Sequence, residues 1–180
     1  LRTFITEDSS RNEMVQHVYD ITYGTVRAGQ DTLVVIDDSI VRGTTLKESI
    51  IRMLGRLKPK RIIVVSSSPQ IRYPDCYGID MSKMGDFIAF NAAVELMKEK
   101  GKMDYMTELL EKCKTLQRND QLHTENVVKQ LYKQFTTEEI SAKIAQLITP
   151  AGLDIPVNVI FQTIEDLHKA CPNNLGDWYF

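Results

Sequence analysis

The sequence predicts an α/β fold built on a parallel sheet, and three stretches carry that prediction. Residues 32–36 form a short apolar, β-branched run that reads as a buried strand. A helical pattern follows, and then a second apolar run at 61–65, reached through Lys58-Pro59-Lys60. Strand, helix and strand within this span make a right-handed βαβ unit. The second stretch is Val157-Asn-Val-Ile-Phe161, which reads as a strand returning to the sheet ahead of another helix. The third is residues 86–135, which are helical in pattern and contain no strand candidate.

The elements follow in order. Ser10-Arg-Asn-Glu13 has capping-box spacing, and Val15, Val18, Tyr19, Thr22 and Val26 fall on one helical face. This predicts a helix over about 11–27, stopped near Gly29 and packed against the sheet ahead of strand 32–36. After that strand come Asp37, Asp38 and a loop holding Gly43 and the hydroxyls of Ser39, Thr44 and Thr45. Thr45-Leu-Lys-Glu48 has the spacing of a second capping box, with Leu46, Ile50, Met53, Leu54 and Leu57 on one face beyond it. Strand 61–65 runs into Ser66-Ser-Ser68 and Pro69, where the serines are read as satisfying loop backbone. Pro74 and Gly78 mark turns.

Three apolar stripes then follow: Phe87, Phe90, Val94, Met97; Met103, Met106, Leu109, Leu110, Cys113; and Val127, Val128, Leu131, Tyr132, Phe135. Stripes at this spacing are packing faces. Thr136-Thr-Glu-Glu139 caps a helix bearing Ile140, Ile144, Leu147 and Ile148, stopped by Pro150 and Gly152. Thr163-Ile-Glu-Asp166 starts the last helix, ending near Cys171-Pro172. The tail 173–180 reads as a loop and holds the single Trp, Trp178.

Composition narrows the function classes. With 43% hydrophobic and 26% charged residues the 180-residue chain is of globular type, able to bury one sizeable core. A net charge of −2 gives no reason to expect nucleic acid or an anionic membrane as partner. No apolar run approaches membrane-spanning length. Cys76, Cys113 and Cys171 are odd in number and widely spaced, which reads as thiols of a reducing cytoplasm rather than a disulfide framework. The chain starts at Leu1 without Met, so the expectation is an excised piece of a longer polypeptide.

The loop after the first strand is where chemistry concentrates. Ligands of open α/β sheets bind off the carboxyl ends of the strands, where Asp37 and Asp38 sit. The helix start beyond offers unpaired N–H groups and a positive dipole end, which suits a phosphate. Gly43 permits close backbone approach, and Ser39, Thr44 and Thr45 add hydroxyl donors. Two carboxylates beside a phosphate cradle make sense if they serve sugar hydroxyls or Mg²⁺. A phosphorylated sugar with a metal ion answers every part of the loop.

Val35-Ile-Asp-Asp-Ser-Ile-Val-Arg-Gly-Thr-Thr45 resembles the phosphoribosyl pyrophosphate (PRPP) motif of type I phosphoribosyltransferases. Its wording, with Arg2-Thr-Phe-Ile5 before it and Ser68-Pro-Gln-Ile-Arg-Tyr-Pro74 and Tyr77-Gly-Ile-Asp80 after it, is similar to that of the glutamine PRPP amidotransferases within that family. The likeness is dense over 1–82, thin over 83–136, and returns at Thr137-Glu-Glu-Ile140 and at 157–170. The resemblance implies a type I phosphoribosyltransferase-like core at 1–85, incomplete on its amino-terminal side. It also implies a helical insertion at 86–135 and a return to the core at 136–180.

For the longer enzyme it implies synthesis of phosphoribosylamine from PRPP and glutamine-derived ammonia in purine biosynthesis. Asp37 and Asp38 would hold the ribose hydroxyls directly or through Mg²⁺. Ser39, Ile40, Val41, Arg42, Gly43, Thr44 and Thr45 would cradle the 5′-phosphate, with the direction of Arg42 left open. A glutaminase domain in the same parent chain, a homo-oligomer and a cytoplasmic location come with the family. The family's early strands and its pyrophosphate-side loop precede residue 1, so the chain alone is expected to bind without catalysing. The segment 7–27 departs from the family, which is basic there: this chain has Glu7, Asp8, Glu13 and Asp20, with only Arg11 and Arg27 as cations.

Other constellations read as structural. An iron–sulfur cluster, carried by some relatives on four cysteines, is not expected from three thiols without a Cys-x-x-Cys pair. His17, His123 and His168 lack acidic or cysteine partners at ligand spacing and read as surface or capping residues. The family's glutamine-hydrolysing half uses an amino-terminal Cys as nucleophile, and this chain begins with Leu1 and contains none of that half. Lys47, Arg52, Arg56, Lys58, Lys60 and Arg61 cluster toward a helix carboxyl end and read as a solvated face. Two rival readings stand: a phosphoribosyltransferase with a nucleobase or orotate as acceptor, and a non-catalytic PRPP-sensing or assembly module.

Overall fold

The computed structural model describes residues 24–75, 81–177 and 179–180. Three parallel strands make the sheet, in the order β1 (Thr32–Asp37), β2 (Arg61–Ser66), β3 (Val157–Phe161). The register pairs Asp37 with Ser66 and Ser66 with Phe161, so all three strands end level with one another. The α/β parallel-sheet reading holds. The third strand has its predicted bounds, and the first two each run one residue further, which places Asp37 at the end of β1 rather than beyond it.

Between β1 and β2 the chain is helical over 44–55, as a π-helical turn at Leu46–Ile51 running into α1 (Arg52–Gly55). The remaining helices are α2 (Ile88–Glu99), α3 (Met103–Arg118), α4 (Val128–Tyr132), α5 (Thr137–Ile148) and α6 (Ile164–Ala170), with single 3₁₀ turns at Met84–Asp86 and Leu122–Thr124.

Two capping predictions hold at atomic detail. Glu139 N–H donates to Thr136 Oγ1 at 3.1 Å while Thr136 N–H donates to Glu139 Oε2 at 2.8 Å, a reciprocal box at the start of α5. Asp166 N–H donates to Thr163 Oγ1 at 3.0 Å at the start of α6. Thr136→Ala removes one bond of the α5 box and is expected to cost about 1 kcal/mol. That corresponds to a fall of about 2–4 °C in the unfolding midpoint, which calorimetry reads directly.

The predicted box at Thr45–Glu48 does not form. Thr45 has helical backbone angles (φ −60°, ψ −42°) and makes no cap bond, and Glu48 instead pairs with Arg52 at 2.8 Å. A cap residue needs extended backbone to aim its oxygen at the following amides, and Thr45 lies already inside the helix. The π turn also redraws the buried face. Leu46 and Ile51, five apart, are both buried (2% and 0% exposed), where the 3.6-residue stripe had used Ile50.

The helical stretch is partly re-faced too. α2 turns Ile88, Ala89, Ala92, Ala93, Leu96 and Met97 inward, so two of the predicted stripe residues, Phe90 and Val94, are only half-buried. On α3 Leu109 is buried whereas Met103 and Leu110 face solvent. The third stripe is inward as predicted, with Val127, Leu131, Tyr132 and Phe135 all buried. These side chains share one core cluster with Ile62, Val64 and Val159 of the sheet, so 88–135 is packed onto the strands through α5. Lys143 of α5, buried to 7% exposure, donates to Glu99 of α2 at 2.6 Å and seals that contact.

Helices cover one face of the sheet, burying Ile62, Val64, Ser66 and Val159. On the opposite face Val34, Ile36 and Ile160 are 59%, 75% and 53% exposed. The predicted amino-terminal helix meets a limit: residues 24–30 are turn and bend with Gly24 at φ +86°, so it cannot extend to Arg27. Residues 1–23, with Arg2–Ile5, the Ser10–Glu13 box, the stripe Val15, Val18, Tyr19 and Thr22, the acidic departures and His17, lie outside the described residues. So do Cys76, Tyr77-Gly-Ile-Asp80 and Trp178. Cys113 and Cys171 are free thiols. No described helix is long and apolar enough to cross a membrane.

Candidate functional site

Asp37 closes β1 at the carboxyl edge of the sheet, and the chain turns there into 38–45. Both carboxylates point along that turn. Asp37 Oδ1 accepts from Asp38 N–H at 3.0 Å, and Asp38 Oδ1 accepts from Ser39 N–H at 2.7 Å. No donor of the described protein occupies the second oxygen of either. Asp37 is half-buried and Asp38 exposed. Burial first, and the Asp38 charge second, push the Asp37 carboxyl above its ordinary pKa. A half-buried acid repelled by its neighbour, with an oxygen to spare, is an environment that a cation or a hydrogen-bond donor relieves.

The helix start is more open than the turn. Lys47 N–H donates to Gly43 O at 3.0 Å, so the N–H groups of Thr44, Thr45 and Leu46 precede the first intrahelical bond. Ser39, Thr44 and Thr45 bring hydroxyls to the same segment. At the positions of the predicted cradle, Ser39 through Thr45, several groups are engaged within the protein. The Ser39 amide is spent on Asp38, and the Ile40 side chain is buried in the core at 2% exposure. Val41 lends its carbonyl to Ile88 N–H at 2.8 Å. Arg42 reaches away to Asp86, 3.8 Å distant on the 3₁₀ turn before α2. At the helix start the amides of 44–46 lie in the same short segment as the hydroxyls of Thr44 and Thr45.

Gly43 is also required by packing. Its φ is +72°, and a β-carbon there would lie 2.9 Å from Ile148 Cγ2 and 3.1 Å from Ile88 Cδ1. The close approach it permits is to the apolar ends of α5 and α2. Ile88, Ile148 and Asp86 thus fix the loop's shape from far along the chain. The sequence pairs Gly43 with no residue so distant, so no local signal pointed there.

Ser66 and Ser68, level with Asp37 on β2 and just past it, turn inward. Ser66 Oγ donates to Ser68 O at 2.9 Å and Ser68 Oγ to Pro69 O at 3.1 Å, which is the backbone-satisfying role expected of them. Among the described residues no three His, Cys, Asp or Glu side chains converge as a metal cage. A Mg²⁺ ion held by one or two carboxylates and by the ligand's own oxygens requires no such cage. Arg52 pairs with Glu48, and Arg56, Lys58, Lys60 and Arg61 are exposed. His123 is exposed, and His168 keeps a buried Nε2 without a partner.

No family model matches the chain. Curated proteins do. The chain is 43% identical over 67 residues to the amidophosphoribosyltransferase of Haemophilus influenzae, a match covering 37% of this chain and 13% of that protein. It is 36% identical over 88 residues to the one from Schizosaccharomyces pombe (46% of this chain, 16% of that protein). It is 37% identical over 97 residues to the one from Staphylococcus epidermidis (54% and 19%). The chain thus matches less than a fifth of the length of each of these relatives. Over those segments this chain resembles the amidophosphoribosyltransferases.

Proposed function

We propose that this chain is the part of an amidophosphoribosyltransferase that holds the ribose 5-phosphate portion of PRPP. The observation that carries the reading is the succession at the end of β1. Two carboxylates, each with an oxygen unused by protein donors, are followed within eight residues by a helix start with unpaired amides and hydroxyls. Acceptors and donors are thereby sorted along one turn, acids for sugar hydroxyls and amides for phosphate. In the reaction of the whole protein, ammonia displaces pyrophosphate from C1 of PRPP through an oxocarbenium-like transition state, so a site of this kind works by orienting the sugar. Asp37 and Asp38 fix the ribose hydroxyls and, being anionic, favour positive charge developing on the ring. Thr44, Thr45 and Leu46 amides anchor the phosphate. Mg²⁺, when bound with PRPP, would be held by Asp37 and Asp38 and would neutralise charge on the departing pyrophosphate. A glutaminase domain elsewhere in the parent protein supplies the ammonia in this reading.

Calorimetric titration of this chain with PRPP and Mg²⁺, beside an Asp37→Asn, Asp38→Asn variant, tests the assignment. The wild-type chain is expected to bind and the variant to lose about 100-fold or more, the scale of two charged hydrogen-bond acceptors removed. Equal heats from the two proteins would sink it.

A further inference from the structure

A cavity of about 590 Å³ opens beside the carboxyl end of β3, between that strand, the first turns of α5 and α6, and the loop at 69–72. It shares no residue with the 37–45 loop. Its polar floor is already organised. Gln70, 3% exposed, donates through Nε2 to Thr137 O and to Ser141 Oγ, both at 2.9 Å. That fixes its Oε1 toward Arg72, which donates to it from Nε at 3.2 Å and from Nη2 at 2.7 Å. Nη2 also reaches Thr137 Oγ1 at 3.3 Å, and the guanidinium lies 5.1 Å from the centre of the Tyr132 ring.

Every one of these partners is neutral. No ion pair joins Arg72 to a carboxylate of the described residues, and no acceptor among them meets its Nη1 hydrogens. Burial holds its pKa below the usual arginine value, as expected of a cation that has given up water without gaining a counter-charge. A guanidinium carries five donors in a rigid fork matched to carboxylate and phosphate, and here one edge of the fork is unspent. Phe161 and Phe180 supply apolar wall. Glu138 and Glu165 line the cavity from the first helical turns and are exposed, so added negative charge is penalised at the mouth while the floor selects for it.

We propose that this cavity binds a small organic monoanion, its carboxylate or phosphoester group on the free edge of Arg72 and its apolar body against Phe161 and Phe180. The volume suits a molecule of that size, and the carboxyl ends of parallel strands are where such ligands sit.

Phenylacetate and its neutral isostere phenylacetamide are the probes, titrated up to about 10 mM and followed by amide chemical shifts of this chain. Phenylacetate is expected to shift Gln70, Ser141 and Gln162 and to bind at least about tenfold more tightly than the amide, the scale of one charged hydrogen-bond pair. Arg72→Gln should erase the difference between acid and amide. Ala142→Trp, at an exposed rim position away from the Arg72 network, should block both probes. Equal affinity of acid and amide for the wild-type chain, shifts elsewhere only, no binding, or undiminished binding in Ala142→Trp would each overturn the proposal. Because PRPP binding is read separately at Asp37 and Asp38, either site can fail alone.

Discussion

Gly43→Ala is expected to lower the stability of this chain by about 2–4 kcal/mol, or about 5–15 °C in unfolding midpoint, although it adds a single methyl group. Two costs combine. At φ +72° an L-residue with a β-carbon pays roughly 1 kcal/mol or more that glycine does not. The new carbon would also sit 2.9 Å from Ile148 Cγ2, a methyl on a β-branched side chain that is fully buried, and 3.1 Å from Ile88 Cδ1. Ile148 cannot swing away without leaving a well-packed core, so overpacking adds its own penalty of about 1–3 kcal/mol. The double variant Gly43→Ala, Ile148→Val does not relieve the contact, because valine keeps the methyl that clashes. Gly43→Ala, Ile148→Ala removes that methyl but opens a cavity elsewhere. The check is thermal or urea unfolding of all three: a midpoint for Gly43→Ala within about 1 °C of wild type would show that the loop is not held against α2 and α5 as described.

That glycine shows where sequence reading stopped. The strands were legible because parallel strands read as near-continuous apolar runs, and Leu33–Ile36 and Ile62–Val65 are such runs, while Val157–Phe161 is broken only by Asn158. The Thr136 and Thr163 caps were legible because their spacing and backbone agree. The Thr45 cap failed for a reason no spacing reveals: the helix has begun at Thr44, and the π turn that follows places Leu46 and Ile51 on one face. On α2 the inward residues include three alanines, which a stripe drawn from large side chains passes over.

The site divides in the same way. Asp37 and Asp38 could be found because a local motif and a strand end coincide. The loop's supports could not, since Ile88 and Ile148 lie far along the chain and meet Gly43 only once α2 has packed on α5. Gln70 and Arg72 stood in plain view within the Ser68–Pro74 motif, yet a motif carries no sign of which side chains lose their water. Only the burial of Gln70 and the all-neutral partners of Arg72 mark them out.

Asp37→Asn should move stability and binding in opposite directions. Asparagine keeps the oxygen that accepts from Asp38 N–H, so the turn is preserved while a half-buried charge is removed. The folded-state pKa of Asp37 is raised, with burial the larger cause and Asp38 the smaller. The sign follows. The folded chain favours the protonated form more than the unfolded chain does, so ionisation at neutral pH costs stability, and that cost fades as pH falls through the raised pKa. The ligand-free Asn variant is therefore expected to melt about 1–3 °C above wild type at pH 7, with the gap closing in acid. With Mg²⁺ and PRPP present at about 100 times the dissociation constant, wild type should gain about 2.7 kcal/mol, or roughly 5–10 °C, and the variant little. The order of the two midpoints then inverts. Asp38→Asn relieves only the smaller cause and should raise the ligand-free midpoint less than Asp37→Asn does. A ligand-free Asn variant less stable than wild type would mean that the Asp37 charge is already compensated inside the protein. Absence of the crossover with ligand would mean that it serves nothing outside. Either result separates a strained acid kept for a ligand from one kept for the fold.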